Sequence, residues 1–482
     1  MKFTKSQIIF FGFAVHVLAA FYSVGYHQCD ELFQVYEFAG FKLGLNSSSE
    51  LPWEFHERMR SGIQPFIVYW ITNFFHCVSV TNPFSIASFI RICMALLSFT
   101  ATVKFLNLLE REIVTEKLKR WLWYAGLLFW CIPYFHARFS SENFSATLFM
   151  LGFVMLLNTM RHKNSYGLFL VSGILLGLAF VSRFQISFMI TGLLAWLLLV
   201  NKTRFQYIAV IFFGIFLALF VGMLGDQWLY NEWTISWWNY LDLNLFQDKA
   251  SVYGKEPVYF YVEQVFLQLL PPFSVAIVFC VAAFWIKLHK QVVTWMTVPF
   301  ILLHFFVAHK ELRFLFPALN FLPFMLIMSL QQLQNNSHPA ILYFKKEGFL
   351  RFAVVVNMVA LLYFSISPAD NTSYSLKKIY DLVEGKSPVL YYEGANPYNN
   401  NASLHYFRND QIRTIQLMAD SLHSDLKEEY YFSEKFNEGE TIIKNNKKFV
   451  RIYSSLPDWI SYLNYNGWLN RAVTFSIYKH AL

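Results

Sequence analysis

Long apolar runs separated by short basic or aromatic loops fill the first three quarters of the chain. A membrane-spanning helix needs about 20 predominantly apolar residues. By that rule the pattern predicts spans near 7–25, 84–109, 121–136, 143–160, 166–182, 184–200, 205–224, 259–286, 292–308, 314–331 and 350–366, about eleven in all. The first run, MKFTKSQIIFFGFAVHVLAAFYSVG, has the charged and apolar parts of a signal peptide. It lacks a small-x-small cleavage site and further spans follow, so it reads as an uncleaved first helix. After Ser367 the pattern changes. Residues 368–482 are polar and rich in Asn and Tyr, with strand-like runs at Pro388–Tyr392 and Lys448–Tyr453. The expected fold is an all-α polytopic membrane domain over 1–366, followed by a small α/β domain over 367–482, outside the membrane and long enough to fold by itself.

Lys and Arg orient the spans. With the N-terminus in the cytoplasm, the inner segments are the more basic, and the tail falls outside. Two outer segments are long: 26–83, and the Trp- and Tyr-rich stretch 225–258. Aromatic loops of that kind lie along the membrane interface. Composition agrees with this picture: of 482 residues 56% are hydrophobic and 15% charged, against about 25% charged in soluble domains. The net charge of +8 is spread through loops and not gathered on one face, which excludes a nucleic-acid surface. The five cysteines form no CxxC pair and no zinc-type spacing. A Cys29–Cys77 disulfide is one option, and free thiols are the simpler one. Asn46, Asn143, Asn371 and Asn401 head N-x-Ser/Thr triplets, which an Asn-rich chain produces by chance.

In this topology the unusual polar groups gather on one side of the membrane. Asp30 and Glu31 stand where the first helix leaves the bilayer, and ionisable groups at that depth are costly and usually functional. First-turn carboxylates stabilised by a helix dipole are the structural alternative. Arg58 and Arg60 follow, as interfacial snorkelers or as phosphate contacts. Arg138 and Glu142 are spaced as a helix pair. Arg183, at a membrane edge, suits bidentate pairing with phosphate. His309, Lys310 and Arg313, within HKELRF, make a basic mouth that would neutralise a phosphate or serve as a plain positive collar. Asp226, Asp248 and Tyr253 belong to the aromatic loop. Acid, aromatic surface and arginines together fit a sugar on a phospholipid carrier. No Walker lysine, Gly-rich nucleotide loop, HExxH or D-x-D triplet is present, which favours a lipid-phosphate donor over a nucleotide sugar.

These residues resemble a known family. HQCDELFQVYEFA is similar to the His-Pro-Asp-Glu-x-Phe-Gln-x-x-Glu motif of glycosyltransferase family 22, with Gln28-Cys29 in place of its single Pro. LPWEFHERMRSGIQP resembles its Leu-Thr-Trp-Glu…Arg-Ser-x-x-x-Pro segment, and HARFSSENFSATL more loosely its Arg-Thr-x-Ser-Asn-x-x-Glu segment. The stretch DQWLYNEW…YGKEPVYFY resembles the Asp-x-x-x-Tyr-x-x-Trp…Tyr-Gly-x-x-Pro loop, and HKELRFLFP the His-Lys-Glu-x-Arg-Phe-x-x-Pro motif. The likeness covers about residues 1–335, in order, and is nearest the branch that builds GPI anchors.

The resemblance implies a GT-C fold, a polyprenyl- or dolichyl-phosphate mannose donor, inversion at the anomeric carbon and no metal or other cofactor. Asp30 would be the base, with Glu31 its neighbour. On the reading of the residues themselves, some of Arg58, Arg60, Arg183, His309, Lys310 and Arg313 would hold the donor phosphate. Arg138, Glu142, Asp226, Asp248 and Tyr253 would shape the acceptor side. The expected partners are the lipid-linked donor, a glycolipid or lipid-linked glycan acceptor and membrane lipid. The expected place is the endoplasmic reticulum membrane of a eukaryote or the plasma membrane of a bacterium. Two alternatives remain: a GT-C transferase for another lipid-linked sugar, and a lipid-linked saccharide transporter, for which intramembrane charges and inverted repeats are expected.

Overall fold

In the computed structural model the described residues are 3–162, 165–269, 273–333, 347–382, 387–392, 396–399, 404–409, 411–416, 429–436 and 449–480. The chain divides into two compact units. One comprises 1–22, 53–70 and 88–367; the other comprises 23–52, 71–87 and 368–482. Residues 368–482 are grouped with two earlier segments, 23–52 and 71–87, a division that the sequence pattern did not anticipate.

The first unit is helical. Four helices are long and apolar enough to cross a membrane: Lys5–Tyr22, Pro83–Glu112, Ser141–Arg161 and Phe205–Tyr230. The bent pairs Leu312–Leu319 with Leu322–Gln332, and Arg351–Ile366 with Asn371–Leu382, the last of these helices being part of the second unit, raise the number for the described residues to six if each is one span. Tyr166–Ser182, Phe184–Leu199, Phe273–Lys287 and Val292–Phe306 are shorter apolar helices. The expected runs therefore appear as helices, but several are short or broken. The run 121–136 divides into Glu116–Leu128 and Ile132–His136. Pro133 lies in the first turn of the second piece, where its missing N–H is no loss. The run 259–286 divides into Phe260–Gln268 and Phe273–Lys287, and the Pro271-Pro272 pair between them lies outside the described residues. An apolar helix, Ile63–Cys77, occupies part of the stretch expected as an outer loop.

Close helix contact replaces the hydrophobic effect as the source of order in lipid, and small residues permit it. Tyr166–Ser182 and Phe205–Tyr230 show this. A Cβ on Gly173 would meet the Ile211 carbonyl oxygen at 2.2 Å, and one on Gly214 would meet the Leu170 carbonyl oxygen at 2.4 Å.

The second unit carries the strands expected after residue 367. They are β1 (Val389–Tyr392), β2 (Arg413–Gln416), β3 (Glu429–Ser433), β4 (Phe449–Ser454) and β5 (Ser476–His480). Their order is β2-β1-β3-β5-β4, with β1 parallel to β2 and β3, and β5 antiparallel to β3 and β4. Tyr391, Tyr431 and Tyr478 form one buried face of the sheet with Val389. Residues 23–52 pack within the same unit: the Ala369 N–H donates to the Val24 carbonyl at 2.8 Å, and a Cβ on Gly25 would meet Asp370 at 2.9 Å. All five cysteines are free thiols, Cys29 and Cys77 included.

Candidate active site

Within the first unit the segment HARFSSEN is built around Asn143. Its side-chain amide donates to the carbonyls of Arg138 at 2.8 Å and His136 at 3.1 Å. The Ser140 hydroxyl accepts the Asn143 N–H at 3.4 Å, a capping contact that starts the helix at Ser141. Glu142 thus enters the first helical turn, where a carboxylate is favoured by the helix dipole. An amide so engaged, 5% exposed, is no glycan acceptor. Asn46 is likewise engaged, Asn371 is exposed, and Asn401 lies outside the described residues.

Glu142 is the centre of a buried charge cluster. Arg183 Nη1 stands 2.9 Å from Glu142 Oε1, and Arg313 Nη1 stands 3.5 Å from the same oxygen. Arg183 Nη1 also donates to Ser141 Oγ at 3.0 Å. Arg313 forks onto Glu311, with Nε and Nη2 each 2.8 Å from a carboxylate oxygen. His309 Nε2 is 3.2 Å from Glu311. The Phe314 ring faces both guanidinium groups, at 5.3 Å from Arg183 and 5.5 Å from Arg313. Two carboxylates and two guanidiniums, from three distant segments, therefore fix one another in low dielectric. Paired and hydrogen-bonded, they meet the condition under which buried charge is tolerated. Arg183 Nε is buried without a hydrogen-bond partner, so the cluster keeps a donor in hand.

Other predicted residues stand differently. Lys310 is buried, and its ammonium donates to the carbonyls of Val307 at 2.6 Å and Glu256 at 2.8 Å, stapling two loops. Asp226 is buried and accepts the backbone N–H groups of Gly62 at 3.0 Å and Ser236 at 3.1 Å, which ties the 53–70 segment to the aromatic loop. Arg60 pairs with Glu54 and lies 5.2 Å from the centre of the Tyr240 ring. Arg58, at positive φ, is exposed and pairs with Glu232. Asp248, also at positive φ, is exposed and 3.9 Å from Lys255. Tyr253 stacks on Trp53 at 5.7 Å, and Lys249 lies over that same indole while pairing with Glu57 at 2.7 Å. Arg138 is buried beside Tyr134.

Asp30 and Glu31 belong to the second unit. They open a helical run over Cys29–Glu31, Leu32–Glu37 and Phe38–Lys42, whose middle part is wound as a π-helix, a form frequent at functional sites. Asp30 is partly exposed. Glu31 is buried and faces the His27 N–H at 3.4 Å.

Sequence reasoning passed over His16, Asn320, Tyr261 and His304, which the first unit contains. His16 Nε2 meets His136 Nδ1 at 3.0 Å, and His136 Nε2 meets Asn320 at 2.9 Å, a buried polar chain inside apolar helices. Tyr261 and His304 are buried and both feel the Arg183 charge. Intramembrane histidines were the available signal. Among the described residues no group of three or more His, Cys, Asp or Glu is arranged to hold a metal ion.

The sequence profile of the Alg9-like mannosyltransferase family matches residues 7–387. The chain belongs to this family. Among relatives of this Alg9-like chain, GPI alpha-1,2-mannosyltransferase 3 of Bos taurus is 25% identical over 324 residues, covering 65% of this chain and 55% of that one. GPI mannosyltransferase 3 of Candida albicans is 25% identical over 344 residues, covering 70% and 62%. The chain thus spans little more than half the length of the curated relatives it matches. The crystal structure of ArnT from Cupriavidus metallidurans bound to undecaprenyl phosphate superposes with a TM-score of 0.51 at 10% identity, over 98% of this chain and 97% of that one. That likeness shows the GT-C fold expected from the motifs.

Proposed function

We propose that this Alg9-like chain is an inverting α-mannosyltransferase that moves mannose from a polyprenyl- or dolichyl-phosphate mannose onto a glycolipid or lipid-linked glycan, on the extracytoplasmic face. The observation that carries the reading is the placement of Arg183 and Arg313, both buried, within 3.5 Å of the same oxygen of Glu142 in a chain of this family. A lipid-phosphate sugar is a phosphodiester with one negative charge. When the C1–O bond breaks, the phosphate leaves with the electron pair as a monoester of higher charge. Preorganised guanidiniums in a water-poor site stabilise charge that develops in this way.

Asp30 takes the proton of the acceptor hydroxyl as its oxygen bonds to C1 from the face opposite the phosphate. Arg183 and Arg313 are the first choice for the phosphate. Lys310 acts through the loops it staples, and Asp226 through the backbone it holds. The named activities of the GPI relatives and the lipid phosphate held by ArnT support the substrate class by likeness. The membrane is the endoplasmic reticulum in a eukaryote or the plasma membrane in a bacterium.

The test is a donor panel on purified protein in detergent: polyprenyl-phosphate mannose, GDP-mannose and a second lipid-phosphate sugar, each labelled in the sugar, with lipid extract as acceptor. Label should pass to lipid from the first alone. Transfer from the nucleotide sugar would contradict the reading, and transfer from the other lipid-phosphate sugar alone would replace mannose with that sugar.

A further inference from the structure

The carboxylate of Glu37 is 1% exposed and accepts hydrogen bonds from two stretches of chain. Oε1 takes the backbone N–H of His405 at 3.0 Å and of Tyr406 at 3.1 Å, while Oε2 takes the Asn46 amide at 2.8 Å. Every contact is a donor, so an oxygen-only side chain is what the site requires. The same turn is held by its rings. Tyr406 lies 5.2 Å from Tyr36, its hydroxyl is 2.7 Å from Thr72 Oγ1, and Phe407 lies 4.9 Å from Phe84. His405 faces Glu50 at 3.3 Å. At the other end of the loop, Ala369 and Asp370 donate their N–H groups to the Val24 carbonyl at 2.8 and 3.3 Å. The helical run that carries Asp30 is thus gripped on both flanks, at Val24 and at Glu37, by residues from beyond 367.

We propose that the C-terminal part of the chain is a clamp on the Asp30 loop, and that Glu37 is the latch, a positioning residue that fixes the loop to the turn 404–407. Two features argue against incidental packing. The carboxylate is buried and fully used, and burial without those donors would be costly. It also sits one π-wound segment from Asp30, so a shift at Glu37 is transmitted along a hydrogen-bonded helix rather than lost in a loose loop. The positioning role rests on the reading of Asp30 as the base; the latch itself does not.

The test is Glu37→Gln in the full chain, read by amide hydrogen exchange and by turnover. A glutamine turns an N–H₂ group toward backbone N–H donors. Peptides covering 404–409 should exchange on the order of tenfold faster than in the wild type, while peptides covering 309–315 stay unchanged. Turnover with lipid-phosphate mannose should fall on the order of tenfold in kcat, with KM for the donor within about twofold, because the base is displaced and the donor contacts are not. Unchanged exchange at 404–409 overturns the latch. Faster exchange with unchanged kcat overturns the positioning role. A wild type without mannose transfer defeats the proposed function, and the exchange comparison still decides the latch. If Glu37→Gln does not accumulate, Asn46→Ala, which removes one donor and keeps the carboxylate, is read by the same exchange.

Discussion

Glu142→Gln replaces one carboxylate oxygen with an amide nitrogen and leaves Arg183 and Arg313 facing a neutral group. At an effective dielectric constant near 20, contacts of 2.9 and 3.5 Å are each worth about 5 kcal/mol before desolvation. Most of that is offset by taking the charges out of water. The relevant quantity is the cost of leaving a buried partner uncompensated, about 3–5 kcal/mol. Arg313 keeps its fork on Glu311, so the lower end, about 3 kcal/mol, is expected. Thermal unfolding in detergent should shift down by about 3 °C for a chain of this size. The variant also leaves the cluster with one more uncompensated positive charge. Added polyprenyl phosphate should therefore recover more of the melting temperature in the variant than it adds to the wild type. A melting curve unmoved by the substitution, or protection by lipid phosphate in neither protein, would refute the reasoning.

Asp226→Ala should destabilise by about 2–4 kcal/mol and raise the protease sensitivity of 225–258, since two buried N–H groups lose their acceptor. Gly62→Ala should be still less tolerated, because its Cβ would stand 2.1 Å from the Gly225 carbonyl oxygen; expression with normal melting would contradict that close approach. Burial pushes the Glu37 carboxyl up to about 7 from 4.5, with Glu50 pushing the same way and the donors from His405, Tyr406 and Asn46 opposing. The folded unit then holds a proton that the unfolded chain releases, so the contribution of Glu37 to stability is full below pH 4.5 and is lost as pH rises to about 7. The fall is worth about 3 kcal/mol. Unfolding of the C-terminal unit followed from pH 5 to pH 8 should show that slope, and Glu37→Gln should lack it.

Some of the charged residues that the sequence pattern singled out stand together in the structure, for a physical reason. Charges near apolar runs are expensive, so the few that remain stand out, and Glu142, Arg183, Glu311 and Arg313 do meet in one cluster. Their pairing was not readable, because it joins segments far apart in the chain. Arg138 and Glu142 at helical spacing looked like a local pair, yet Glu142 turns to Arg183 and Arg313. Lys310 looked like a phosphate ligand from its place in HKELRF, but a flexible ammonium satisfies two carbonyls as readily as a phosphate. Arg58 and Asp248 stand at positive φ on exposed turns, a backbone feature that composition does not reveal. Hydropathy found the helical runs but not their breaks. The use of Glu37 was hidden for the same reason as the charge pairs, since its partners lie more than 360 residues away in sequence.

Mannose transfer from a lipid phosphate with Asp30 as the base, as proposed for this Alg9-like chain, is open to direct measurement. The most direct measurement is single-turnover transfer from labelled polyprenyl-phosphate mannose by the wild type, Asp30→Asn and Glu31→Gln at equal purity and matched melting temperature. Product is expected with the wild type, with a loss of at least about 10³-fold for Asp30→Asn (about 4 kcal/mol of barrier) and a smaller loss for Glu31→Gln. Near-normal transfer by Asp30→Asn would contradict it.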